Sequence, residues 1–487
     1  MPGLLNTTSL SLKTLAAASF TAVALAGCTL EPAYNRPALP TPTAFPQSDV
    51  SSTGASTAPA ATIAWRAFFL DPKLQATVEL ALANNRDLRV AIANIEAARA
   101  QYGIQRAALL PAVNGGLGAD LAREPASAAG VVEPGEPNHF RIHEYSATLG
   151  VSNYELDLFG KVRSLTKAAL EQYFATEEAR RASQITIIAE TANDWLTLAA
   201  DKATLKAAQD TLKSTRDSLD IAQKRFDHGV ASALDVRQAQ TLVEQTRSDV
   251  ANDTTIVAQD KNALDLVVGA PTPDAILPDN LGDQVLTLSD LPAGVPSDVL
   301  LNRPDVLQAE DALKAQNAQI GAARAAFFPS ITLTASGGGE SNSLSTLFKG
   351  ASGAWSFTPQ LNLPIFAGGA NIANLNYAKA ERQVTVAQYE KAIQTAFSEV
   401  ANALARRATI GEQVSANDAA VAAAADSVTL SQARYERGSD TYLNVLVAQR
   451  TLYATQESQI SARLTRATNL VTLYTALGGG APAPPAK

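Results

Sequence analysis

Arg225-Phe226-Asp227-His228-Gly229-Val230-Ala231-Ser232-Ala233-Leu234-Asp235-Val236 reads as the end of one helix, a tight turn and the start of the next. Gly229 supplies the positive φ that such a turn needs. The pattern recurs far down the chain as Arg434-Tyr435-Glu436-Arg437-Gly438-Ser439-Asp440-Thr441-Tyr442-Leu443-Asn444-Val445, with Gly438 in the turn. Upstream of the first turn, Leu198, Leu205, Leu212, Leu219 and Phe226 fall on every seventh position. Downstream, Val236, Val243, Val250, Val257 and Leu264 do the same. The second copy carries Val386, Ile393 and Val400, then Val414, Val421, Val428 and Tyr435, with Arg407 as the exception. A seven-residue apolar repeat sustained this long specifies coiled-coil packing, so each turn predicts an antiparallel helical hairpin. From Gly160 to Phe226 the helical pattern meets no proline over 67 residues, roughly 100 Å of helix.

The duplication extends beyond the hairpins. Asn85-Arg86-Asp87 returns as Asn302-Arg303-Pro304-Asp305, and Gln101-Tyr102-Gly103 as Gln319-Ile320-Gly321. Arg106-Ala107-Ala108-Leu109-Leu110-Pro111 returns as Arg324-Ala325-Ala326-Phe327-Phe328-Pro329, and Leu156-Asp157-Leu158-Phe159 parallels Leu363-Pro364-Ile365-Phe366. Matched blocks in one order make each unit a structural module: a helix, two strands, then two long helices. Pro111 and Pro329 close the first helix of each unit. Alternation then predicts strands over Ala112–Leu121 and Tyr145–Leu158, and over Ser330–Glu340 and Trp355–Ile365. The loops fall at Ala122–Glu144 and Ser341–Ala354. The expected layout is a signal segment (1–27), an N-terminal tether (28–64), the first repeat (65–268), a linker (269–301), the second repeat (302–477) and a tail (478–487).

Strands of this length suit a bilayer crossing, and no apolar run is long enough for a transmembrane helix. Four strands cannot close a barrel, and open edges are not tolerated in lipid, so copies must pool strands. Lys13 precedes an apolar run from Leu15 to Ala26, which ends in Leu25-Ala26-Gly27-Cys28. That run is too short to span a membrane and has the form of a signal peptide. The single cysteine excludes an intrachain disulfide, and His139, His143 and His228 have no metal-ligand spacing. The net charge of −8 argues against nucleic acid as a partner. No phosphate-binding loop is present, and no nucleophile–base pair or carboxylate cluster suggests an enzyme.

The segment Leu25 to Cys28 resembles the lipobox of bacterial lipoproteins, which implies a covalent lipid on Cys28 and no other cofactor. Thr29, where aspartate would retain the protein inside, implies outer-membrane sorting. The mature chain resembles the TolC-like outer membrane factor family, in its lipoprotein branch of NodT type. The matching residues are Trp65, Phe69, Asp71-Pro72, Leu74, Ala81-Leu82, Asn85 and Asp87-Leu88, then Glu155 to Gly160. They continue with Asn302 to Val306, Gly321 to Pro329, Pro364-Ile365-Phe366 and Gly368-Gly369.

The resemblance implies a mixed, mainly α fold. A homotrimer builds a twelve-stranded outer-membrane β-barrel, four strands per chain, on a twelve-helix coiled-coil periplasmic α-barrel. It also implies the function, an exit duct of a tripartite efflux system with a periplasmic adaptor and an inner-membrane RND-type pump. Adaptor docking falls on the tips Gly229, Val230, Ala231, Ser232 and Gly438, Ser439, Asp440, Thr441. A periplasmic gate falls on Arg434, Tyr435 and Asp440, narrowed by Leu443. Some relatives carry an acidic residue before the Ala-Gln-Arg of the last helix; here it is Val447, which leaves Asp440 as the candidate acid. Arg434 and Asp440 acting only as helix caps is the plainer alternative. A coiled-coil envelope lipoprotein without a pore, or a protein-secretion duct of a type I system, are the alternative functions.

Overall fold

The computed structural model describes residues 29–46, 63–125, 139–279, 281 and 297–479. In chain order these form α1 (Trp65–Phe68), α2 (Pro72–Asn84), α3 (Arg86–Ala107), β1 (Val113–Pro125) and β2 (His139–Leu156). Then come α4 (Lys161–Asp227), α5 (Ala233–Val268), α6 (Pro304–Ala325), β3 (Ser330–Ser341), β4 (Gly353–Asn362), α7 (Ala370–Glu436) and α8 (Tyr442–Ala476). Both α4 and α7 run for 67 residues without a break. The seams bury Leu198, Leu212, Val243 and Leu264 in the first hairpin and Ile393, Val400, Val414 and Tyr435 in the second. Burial on this stripe, rather than intrinsic propensity, is what sustains helices of such length. No described helix is long and apolar enough to cross a membrane.

The chain divides into two compact units, and each takes pieces of both sequence repeats. Unit one comprises residues 1–36, 96–174 and 310–387. It holds one antiparallel sheet in the order β1-β2-β3-β4. The register places Leu117 opposite Ala147, Leu149 opposite Gly337, and Gly337 opposite Trp355. Because side chains alternate across a strand, Val113, Leu117, Leu121, Leu149, Leu333, Trp355, Phe357 and Leu361 share one face. The other face carries Asn114, Asp120, Thr148, Ser146, Thr332, Thr334, Ser336, Ser356 and Gln360. The apolar face is bare: Leu117 is 83% exposed and Trp355 82%. Below the sheet, Phe159 stacks on Phe328 at 4.7 Å. The two rings come from different repeated blocks, Phe159 from Leu156–Phe159 of the first repeat and Phe328 from Arg324–Pro329 of the second.

Unit two comprises residues 37–95, 175–309 and 388–487. Phe68 stacks on Tyr474 at 4.0 Å, and the Tyr474 hydroxyl donates to the Ile63 carbonyl. Asp71 caps α2 by accepting the N–H groups of Lys73 and Leu74, with Pro72 in the first turn. This explains the Asp-Pro pair. Arg303 is buried and donates to the Ala476 carbonyl, to both oxygens of Asp305 and to Glu399. The Arg-Pro-Asp block therefore fastens the start of α6 to α7 and to the end of α8.

Several expected boundaries move. The single leading helix of repeat one is three helices, broken where Asp71 and Asn85 cap. Asn85 accepts the Leu88 N–H and donates to the Val267 carbonyl. Both first helices stop before their prolines, at Ala107 and Ala325, because the last residues tighten into short turns. The expected loop over Ala122–Glu144 is partly strand. Arg123 pairs with Arg141 and Pro125 with His139, and this polar rim lacks the alternation that betrays strands. Leu158 and Leu363 to Ile365 lie outside the strands, and a register shift between Val151 and Tyr154 carries Asn153 at positive φ. Cys28, the signal segment and the tail from 480 onward lie outside the described residues.

Candidate functional site

The two hairpin tips have the same backbone. Gly229 and Gly438 both sit at φ +74°, as the turn requires. Gly229 N–H bonds the Phe226 carbonyl and Val230 N–H that of Arg225; Gly438 bonds Tyr435 and Ser439 bonds Arg434 in the same way. Neither glycine has crowding backbone around it, so the constraint is φ and not space. The first tip then closes with a capping box. Ser232 Oγ accepts the Asp235 N–H at 3.2 Å, and Asp235 Oδ2 accepts the Ser232 N–H at 3.1 Å.

The second tip closes differently. Thr441 holds the N-cap position with no side-chain hydrogen bond. Asp440 instead accepts the Thr441 N–H at 2.8 Å and the Asn444 amide at 2.6 Å. It also pairs with Arg434, Nε to Oδ2, at 3.2 Å. The Thr441 N–H, the Asn444 amide and the Arg434 charge, in that order, hold the Asp440 carboxyl below its ordinary range. Arg434 and Asp440 are thus brought together across one turn. Tyr435 is drawn away from the tip surface: it is buried, edge-to-face with Tyr442 at 5.4 Å. Leu443 and Val447, one helical turn apart on α8, are both exposed. Val230 is exposed at the first tip.

Sequence reading missed Arg225. Its guanidinium lies over the Tyr435 ring at 4.8 Å and donates to the Glu436 carbonyl at 3.1 Å, tying the first hairpin to the second. The matched Arg225 and Arg434 blocks held the clue, because only Arg434 has an aspartate across its turn. Around them Ala222, Val236, Ala239, Leu242, Tyr435, Tyr442, Val445 and Leu446 form one buried cluster. Burial pushes the Tyr442 hydroxyl up to about 12.

The segment that follows Cys28 is fastened within unit one. Glu31 accepts from Lys167 and Asn317, and Leu30 from Arg324. Glu310 is 2% exposed and takes Arg36 at 2.8 and 2.9 Å and the Tyr34 hydroxyl at 3.0 Å. Burial opposes its charge, but Arg36, Lys314 and Tyr34 hold it below the usual carboxylate range. Among the described residues no group of histidine, cysteine and carboxylate side chains is arranged to hold a metal ion.

The chain matches the outer membrane efflux protein family twice, over residues 77–270 and 295–479. It is 47% identical to the probable efflux pump outer membrane protein TtgC of Pseudomonas putida, over 96% of each chain. A membrane protein of Pseudomonas aeruginosa superposes with a TM-score of 0.85 at 40% identity, covering 93% of this chain and 98% of the other. The open-state outer membrane channel MtrE of Neisseria gonorrhoeae gives 0.83 at 38% identity, with the same coverage. The apolar sheet face, the duplicated hairpins and these likenesses agree: the fold is that of the TolC-like outer-membrane channels, and the chain belongs to the outer membrane efflux protein family, whose members are transport channels.

Proposed function

We propose that three copies of this chain form a passive exit duct, through which an inner-membrane RND-type pump and a periplasmic adaptor expel small molecules. The observation that carries this reading is the sheet. Away from its polar rim one face is apolar and bare, the other is mostly polar, and β1 and β4 each have a neighbour on one side only. In lipid those edges must be paired. Three copies supply twelve strands, with the apolar face to the lipid and the polar face to a water-filled lumen.

The tips Gly229–Ser232 and Gly438–Thr441 receive the adaptor. The Arg434–Asp440 link sets the shape of the second tip, and Leu443 narrows the aperture beside it. Cys28 carries the lipid, with the Glu31 and Arg36 contacts transmitting the tether to unit one. Purified protein in planar bilayers should show discrete channel conductance, and cross-linking in detergent should stop at three chains. A stable monomer with full β content in the membrane, or a trimer that conducts nothing, would defeat the reading. Palmitate incorporation should be lost in Cys28→Ser; equal labelling of that variant would remove the anchor.

A further inference from the structure

Beyond its apolar band the sheet sorts charge by face. β3 ends at Ser341, but β1 and β2 run on as a two-stranded ribbon, paired as far as Pro125 and His139. In that ribbon Arg123 stands opposite Arg141, and Asp120 opposite Glu144. Alternation puts Arg123, Arg141, His139 and His143 on the face that carries Leu117 and Leu121. Asp120, Glu124 and Glu144 fall on the other face, with Ser146 and Thr148. The outward side of the ribbon therefore has bases and no acid, and the inward side acids and no base.

Unlike charges directly opposite would stabilise such a ribbon, and like charges repel. Arg123 and Arg141 are both exposed, and neither guanidinium has an ion pair or hydrogen bond among the described residues. Two arginines facing each other with no acid on their side call for an anion from outside the chain. A planar guanidinium takes a phosphate through two N–H groups at once.

The height of the arginines identifies the anion. The rise from Val113 to Arg123 is about 25 Å, for a strand of about 3.4 Å per residue tilted near 40°. That is the height of the apolar band of a membrane barrel, so Arg123 stands at its edge, where headgroups begin. Tyr145 follows His143 on the same face, where barrels carry their aromatic girdle. α3 leads into the sheet and α4 leaves it at the opposite end. With the helices in the periplasm, the ribbon lies at the outer leaflet, whose glycolipid carries phosphates on its sugar headgroup.

We propose that the outward face of this ribbon binds the phosphorylated sugar headgroup of an outer-leaflet glycolipid, with Arg123 and Arg141 as a paired phosphate clamp and exposed Leu117 and Leu121 against its acyl chains. The proposal rests on the duct reading only in that the apolar face meets lipid.

Native mass spectrometry of the purified full-length protein, titrated with lipid A in mild detergent, tests this. Lipid A carrying both phosphates should be retained on the order of thirtyfold more tightly than lipid A stripped of them. That comparison is made on the wild type, so an unstable variant does not rescue the idea. Arg123→Ala combined with Arg141→Ala should bring the two lipids nearly level, and the matching pair of lysine substitutions should keep part of the preference. Asp120→Asn, on the inner face, should leave it unchanged. Equal retention of the two lipids, a preference that survives the double alanine variant, or an equal loss in Asp120→Asn would overturn the proposal. Full competition by millimolar inorganic phosphate would also overturn it, because the site would then serve the free ion. Bilayer conductance of the same preparation reports the duct separately. Conductance without a phosphate preference overturns this proposal alone, and a phosphate preference without conductance overturns the duct alone.

Discussion

The two tips share one turn and differ in what satisfies the helix that follows it. At the first, Ser232 and Asp235 satisfy each other. At the second, Asp440 takes a backbone N–H, the Asn444 amide and Arg434 at once. Ala231 stands where the second tip has Asp440, so Arg225 finds no acid across its own turn and reaches to Tyr435 and Glu436 of the other hairpin. Duplication kept what the backbone demands, a glycine at positive φ, and released what only side chains decide. One tip became a self-contained cap. The other became a charged link that salt and acid can loosen.

The turn itself is the largest target. Gly229→Trp and Gly438→Trp force a bulky side chain into left-handed backbone, about 1–2 kcal/mol of strain, at the proposed docking surface. Each should abolish efflux in a drug-susceptibility assay while trimers persist on detergent gels; export surviving both would place docking elsewhere. Next comes the difference in charge. Asp440→Ala and Arg434→Ala should raise bilayer conductance several-fold, whereas Asp235→Ala should leave it unchanged. If neither of the first two does so, they only cap helices, and the aperture closes on Leu443 and Val447.

Acid should act on the second tip in the same direction. The Asp440 carboxyl is held below its ordinary value, so the link is intact above that value and is lost as pH falls through the lowered one. Wild-type conductance should therefore rise only below the ordinary carboxylate range, and this step should vanish in Asp440→Asn. High salt should loosen the same pair by screening.

Two smaller effects separate the hairpins further. Arg225→Ala removes a cation–π contact of about 0.5–2 kcal/mol over a buried ring and should speed amide exchange around Glu436 and Arg437. Arg225→Lys should restore little, because a point charge cannot reproduce the stacked planar group. Ser232→Ala should cost about 1 kcal/mol of local helix stability, seen as faster exchange over residues 233–236 with unchanged conductance.

Much of this was legible beforehand. The heptads placed α4 within a residue of its observed ends, because the stripe that buries a helix is written at every turn. The glycines placed both turns, because φ is a property of one residue. Alternation found the middle of every strand but not the rims: the pairs near Arg123 and Arg141 are held by backbone bonds that polar side chains do not announce. The short helices α1 and α2 were read as one with α3, since Asp71 and Asn85 act as caps only through particular hydrogen bonds.

Sequence by itself determined the duplication, read by matching distant blocks, and the hairpins, the glycine turns and the amphipathic strands, which depend on residues a few positions apart. Tertiary structure alone decided which side chains meet across hundreds of positions. Arg303 ties α6 to Ala476 and Glu399, and Arg225 crosses to Tyr435. The reason is physical. Local periodicity is fixed by backbone geometry, but the partner of a buried charge is fixed by how whole helices pack.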